Sequence, residues 1–175
     1  MHRNLLLLAC CALGFVASCA TTEGDEAPAR EGDLTVSSED TTADAEMDRA
    51  VADDKADSGL SYLAVAKVAQ LAGIYCSYDR LATAVAVARA ESGFRSTATN
   101  TVGNSHGIDR GLWQINSYWH PDVSVACAFS PSCNARVMYQ ISSHGTIWTA
   151  WWTYKNGKHL PYMAQARAAA AAICP

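Results

Sequence analysis

No aromatic residue stands between Ala20 and Gly59, and that gap decides where in the 175 residues a hydrophobic core can form. The stretch is built from Thr, Glu, Asp, Ala, Gly and Ser with few large aliphatic side chains. It offers too little apolar surface to offset the entropy of ordering it. Thirteen acidic residues stand there against three basic ones, a net charge of −10. Residues 19–59 therefore read as an acidic disordered tether, in which runs such as Ala43 to Ala56 are at most transiently helical. From Leu60 to Pro175 the balance inverts, with nine basic and four acidic residues, and every tryptophan and tyrosine of the chain falls there. The overall charge of −4 thus hides a basic folded domain, residues 60–175, on an acidic tail.

The first eighteen residues have the build of an export signal. His2 and Arg3 precede the apolar run Leu5 to Val16, which is short for a membrane span, and small residues follow. Val16-Ala17-Ser18-Cys19 resembles a bacterial lipobox, which implies a lipid on the Cys19 thiol after removal of residues 1–18. Ala20 in the next position resembles the pattern for the outer rather than the inner membrane. The expected location is the cell envelope, as an outer-membrane lipoprotein facing the periplasm, or outside the cell. An ordinary soluble signal peptide cut nearby is the alternative. An exported basic domain suits an anionic polymer such as cell-wall material. Nucleic acid is set aside as a partner because of the export signal.

Four cysteines remain in the domain: Cys76, Cys127, Cys133 and Cys174. Four allow three pairings. Cys127 and Cys133 are separated by five residues that include Pro131, which makes a local clip the easiest bridge and leaves Cys174 to staple the chain end to Cys76. Zinc is the competing use, but the sequence holds neither a Cys-x-x-Cys pair nor His-Glu-x-x-His, so disulfides are expected. His106, His120, His144 and His159 are not spaced as a metal pair, and no metal or cofactor is expected. His106 falls where a loop residue could touch a substrate.

Helical spacing of apolar residues recurs through the domain. Leu60, Leu63, Ala64, Val68, Leu71 and Ala72 predict a helix from about Leu60 to Ala72. Leu81, Ala84, Val85 and Ala88 predict a second, from about Asp79 to Ser92, capped by Ser77 or Asp79. Asn134 to Ser143 and Pro161 to Ile173 predict two more. In the last of these Tyr162, Ala166, Ala169, Ala170 and Ile173 face inward. Between Ser96 and Ser117 the period is lost to turn residues, among them Asn100, Gly103, Asn104, Gly107 and Gly111. The expectation is a mostly α fold: a helical lobe with a small irregular β-hairpin or loop element that forms one wall of a cleft. Leu112 to Asn116 could form a short extended segment leading back to the helices.

Glu91 is the only glutamate after Gly59. It lies three residues beyond Ala88 and seven beyond Ala84, at the edge of the apolar stripe. Partial burial there favours the protonated carboxyl, which is what a general acid for glycoside cleavage requires. A carboxylate that simply faces water is the plainer reading.

The ordered run Glu91-Ser92-Gly93-Phe94, then Gly111-Leu112-Trp113-Gln114-Ile115-Asn116, resembles the lysozyme-like superfamily, in particular domains of the soluble lytic transglycosylase type. The likeness continues through Ser117, Trp119, His120 and Pro121, the Phe129 to Ala135 stretch, and Ile141, Ser142, Gly145, Trp148, Trp151, Tyr154 and Gly157. It covers about residues 64–165 and none of the tail. The resemblance implies a peptidoglycan-cleaving enzyme without cofactor, acting as a monomeric domain on the β-1,4 bond between N-acetylmuramic acid and N-acetylglucosamine. It makes Glu91 the general acid, implies substrate contacts for Ser92 and for Tyr154 near that acid, and has Gln114 and Asn116 either bind sugar or brace the wall of the cleft. Trp113 would cover a sugar face or pack inside. Asp109-Arg110-Gly111-Leu112-Trp113-Gln114-Ile115-Asn116-Ser117 also resembles the run in animal-type lysozymes, whose aspartate stabilises or attacks the sugar carbon. Two outcomes stay open: a lytic transglycosylase in which Glu91 works largely alone, or a hydrolase using Glu91 and Asp109 together. A murein-binding domain without turnover is the alternative from another class.

Overall fold

The computed structural model describes residues 41–52, 59–101 and 106–174. The signal peptide, Cys19, the tether up to residue 40 and its stretch 53–58 lie outside the described residues.

The fold is built around α3 (Tyr78–Ser92). The predicted stripe of Leu81, Ala84, Val85 and Ala88 is fully buried, and so are Ala82, Ala86 and Val87. Burial on nearly every side is the signature of a central helix. It packs between α2 (Tyr62–Leu71) and α7 (Met163–Ile173), which also touch each other. Ala166, Ala169 and Ala170 of α7 are buried as expected, and their small side chains let the helices approach closely. Residues Leu160–Tyr162, around Pro161, form a separate 3₁₀ turn, so α7 starts two residues later than predicted.

Local chemistry sets the ends of α3. The Ser77 side chain accepts from the Arg80 N–H and caps the start. Gly93 (φ 62°) closes the end in the left-handed region, its N–H donating to Arg89 O. Phe94 follows in the same region (φ 69°), buried and edge-on to Tyr62. This double left-handed turn stops the helix directly after Glu91 and Ser92.

The turn-rich stretch forms the small β-element that the sequence predicts. Strands β1 (Thr99–Asn100), β2 (Asp109–Arg110) and β3 (Ile115–Asn116) pair antiparallel in that order, with Asp109 opposite Asn116. Leu112 to Gln114 is a tight turn rather than an extended segment, and Gln114 takes φ 49°. Two further helices support this element, α4 (Val125–Phe129) and α5 (Pro131–Ile141). Helix α5 starts three residues before its predicted position because Pro131 suits a first helical turn and Ser130 caps it, accepting from the Cys133 N–H. Helix α6 (Trp152–Lys155) packs on α3. Disulfides join Cys76 to Cys174 and Cys127 to Cys133, the pairing expected from the spacing.

The expected boundary of the folded part needs a correction. Thr41–Ala52, assigned by composition to the tether, is a helix (α1) packed on α2 and α5. Met47 and Val51, four residues apart, are 1% and 8% exposed and join the core. Its acidic residues are placed rather than scattered. Asp44 pairs with Arg136, and Asp48 accepts from Ser130 Oγ and from the Ser132 N–H, both at 3.3 Å. A composition average over forty residues hides two apolar side chains on one helical face.

Candidate active site

Glu91 sits in the last turn of α3, half-buried. Its Oε1 accepts a 2.5 Å hydrogen bond from the Thr153 hydroxyl on α6. Burial pushes its carboxyl above the usual range; the Thr153 hydrogen bonds oppose this, and the negative charge of Asp109 adds to it. The acid is therefore biased toward holding its proton.

Asp109 lies on β2, half-buried, and its charge bears on Glu91 across the space between sheet and helix. Its Oδ1 accepts from Asn116 Nδ2 at 2.7 Å, a contact that follows from the strand register placing the two residues opposite each other. Asn116 also donates to His106 O at 3.2 Å and accepts at Oδ1 from the N–H groups of Tyr118 (2.9 Å) and Trp119 (3.4 Å). An amide has two donor hydrogens and two acceptor lone pairs, so these four contacts occupy it completely. Asn116 orients Asp109 and shapes the following turn.

The other residues singled out in the sequence divide into braces and wall. Gln114 donates through Nε2 to Gly111 O (2.8 Å) and Ala98 O (3.2 Å), which fixes the β2–β3 turn. Ser92 is buried; its hydroxyl donates to Ala88 O and accepts from the Phe94 N–H, locking the end of α3. Trp113 takes the second of its two expected places, inside the core and not over a sugar. It is fully buried, with Nε1 donating to Ala84 O at 2.9 Å and its carbonyl accepting from Trp151 Nε1 at 2.8 Å. It bolts the turn to α3. Asn134 does the same from α5, accepting from the Trp113 N–H and donating to Arg110 O and Ala128 O. Gly111 (φ 80°) must be glycine, because a Cβ there would lie 2.0 Å from Ala128 O.

Tyr154, half-buried on α6, stacks on His159 with 4.6 Å between ring centroids. The α6 side chain that reaches Glu91 is its neighbour Thr153, which the sequence reading missed. Trp148 and Trp151 are core residues, whereas Trp152 is exposed. On the sheet side Tyr118 and Trp119 are exposed rings packed edge to face, with His106 against Tyr118 at 4.8 Å. Among the described residues no three His, Cys, Asp or Glu side chains converge to hold a metal ion. The arrangement is a half-buried carboxyl whose pKa is raised and a second, oriented carboxyl, supported by a braced turn and flanked by exposed aromatic surface.

No curated protein and no solved structure is significantly similar to the chain. The profile of one family, described as a lysozyme-like domain, matches residues 66–153, half of the chain. That span runs from within α2 through Glu91, Asp109 and Asn116 to Thr153. The helical lobe, the small three-stranded sheet and the position of Glu91 at the end of the central helix agree with that match, and the chain belongs to the family of lysozyme-like domains.

Proposed function

We propose that the chain cleaves peptidoglycan glycan strands at the β-1,4 bond between N-acetylmuramic acid and N-acetylglucosamine, with Glu91 as general acid and then base. The observation that carries this reading is the setting of Glu91. A carboxyl that burial, and to a lesser degree a neighbouring negative charge, hold above its usual range keeps its proton to higher pH than an ordinary glutamate, which suits a proton donor. Proton transfer to the glycosidic oxygen lets the bond break with its electron pair on that oxygen, and positive charge develops on the muramyl anomeric carbon. In a lytic transglycosylase, the route implied by the sequence resemblance, the muramyl 6-hydroxyl adds to that carbon. The Glu91 carboxylate takes the hydroxyl proton, and the product is a 1,6-anhydro sugar.

One observation favours a second route. Asp109 is oriented by Asn116 and its charge is felt at Glu91, which supports a role for Asp109 opposite the developing positive charge, with water as the final acceptor. The exposed Tyr118 and Trp119 supply aromatic surface on which a pyranose ring can stack, and Tyr154, beside Thr153 on α6, stands close to the acid in the chain. Ser92, Gln114, Asn116 and Trp113 support the site from behind. The setting proposed is the cell envelope, with the domain in single copy on a lipid anchor at Cys19. Metabolic lipid labelling of the chain and of Cys19→Ala tests the anchor, and equal labelling of the two would sink it.

Mass spectrometry of muropeptides released from purified peptidoglycan by the whole chain and by Glu91→Gln tests the activity. Loss of a general acid lowers turnover by about 10²- to 10⁴-fold. Products ending in 1,6-anhydromuramic acid mark a transglycosylase, and a reducing muramic end marks a hydrolase using Asp109. Binding without any product, in the unaltered chain, would replace catalysis with murein recognition alone.

A further inference from the structure

Thr153 is the one hydroxyl-bearing side chain seen bonded to Glu91 among the described residues, and it comes from an element 62 residues away in the chain. The hydroxyl bond runs to one carboxyl oxygen, Oε1, at 2.5 Å, and the Thr153 backbone adds a weaker hydrogen-bonding influence on the same carboxyl that a change of side chain leaves in place. Helix α6 is one turn long and is held from both sides. Trp151, just before it, is buried and anchored to Trp113 O, and Tyr154, within it, is stacked on His159. Thr153 therefore sits on a fixed support, and its β-branched side chain has few rotamers to explore.

We infer that Thr153 is the positioning residue of the Glu91 proton: its hydroxyl holds Oε1 and leaves Oε2 to carry the proton and deliver it. This rests on the reading of Glu91 as the proton donor. The chemistry gives the contact a direction. While Glu91 is neutral, the Thr153 hydroxyl bonds a weakly basic carbonyl oxygen. As the proton leaves Oε2, negative charge spreads onto Oε1 and the same hydrogen bond becomes charge-assisted, roughly twice as strong as a neutral one. The contact thus stabilises the state reached in the transition state more than the resting one, which is what accelerates a step. The charged group that bears on Glu91 is Asp109 on β2. Arg89 on α3 is turned to Gly93 O and the rings of Phe94 and Tyr162, and Arg167 on α7 reaches Asp79 at the other end of α3.

The test pairs a titration with kinetics on the whole chain. Thr153→Val keeps the branched shape without the hydroxyl, and Thr153→Ser keeps the hydroxyl. Carboxyl NMR should place the Glu91 titration midpoint higher in Thr153→Val than in the unaltered chain, and Thr153→Ser should restore it. Turnover on peptidoglycan should fall about ten- to a hundredfold in Thr153→Val at unchanged KM, the range for a hydrogen bond to a charged group. The alkaline limb of its pH profile should move to higher pH. Should Thr153→Val fail to fold, Thr153→Ala carries the same titration. An unmoved Glu91 midpoint, or a turnover loss that Thr153→Ser does not restore, overturns the inference. The NMR titration needs no substrate. A moved midpoint in a chain that cleaves nothing would therefore uphold the Thr153 contact while removing the proposed activity.

Discussion

Glu91 has given up part of its hydration without gaining a cationic partner that lowers its pKa, and that choice has a thermodynamic consequence. Its folded pKa lies above the unfolded value, with burial as the main cause. The native state therefore binds this proton more tightly than the unfolded chain does. The stability that follows is fully present below the unfolded pKa and is lost as pH rises through the folded one. At neutral pH an ionised Glu91 is a burden on the fold. Glu91→Gln keeps an acceptor for Thr153 and removes the charge, so its Tm should exceed that of the unaltered chain at pH 7, with the gap closing toward pH 4. Thermal melts across that range check it, and a gap that widens on acidification would contradict the burial account. Much of this was legible in the residues. A lone glutamate at the edge of an apolar helical stripe pointed to the half-buried carboxyl, whereas the pairing of Asp109 with Asn116 follows from a strand register that the turn residues did not disclose. Trp113 stayed open between two places because an indole ring suits a sugar face and a core equally well, and its bond to Ala84 O carries no local pattern. Thr153 was invisible for a related reason, since a hydroxyl makes its contact through space and leaves no period in the sequence.

Among the elements, α1 shows where composition fails as a guide to packing. Acidic residues dominate its neighbourhood, yet Met47 and Val51 share a face and Asp48 meets the start of α5, where backbone N–H groups lack helical partners. Through Ser130 and Ser132 this contact reaches the elbow that carries Cys133 and Asn134, and Asn134 in turn holds the turn after Asp109. Helix α1 thus supports the site from a distance. Met47→Ala should destabilise the chain by about 2–5 kcal/mol, the usual range for emptying a buried methionine position. Urea unfolding measures this, and a change below about 0.5 kcal/mol would mean that α1 is not part of the cooperative unit. The central helices were read more accurately because their apolar residues are dense enough to fix a period. The boundaries of α5 and α7 slipped by two or three residues, and in both cases a proline stands beside the true start.

For the whole molecule, the Cys76–Cys174 bridge dominates the unfolded state. It closes a loop between residues 98 apart, and the chain-entropy model gives about 4–5 kcal/mol for a ring of that size. Replacing both cysteines with alanine should lower stability by about that amount, whereas opening the six-residue Cys127–Cys133 clip should cost less. Denaturation of the two double variants compares them directly, and an equal loss would argue against the entropic account. The pairing was accessible from spacing alone, because four cysteines leave little choice once two of them lie that close.

The same bridge also closes the chain from Cys76 to Cys174 into a covalent ring. Glu91, Asp109, Asn116, Asn134 and Thr153 all fall between its two sulfurs along the chain. A single protease cut anywhere on that ring leaves the two pieces joined through the bridge. A pull applied through the N-terminal segment meets the same limit. With the force acting between the two chain ends, tension straightens only the chain before Cys76 and after Cys174, and the load crosses the bridge and not the residues between.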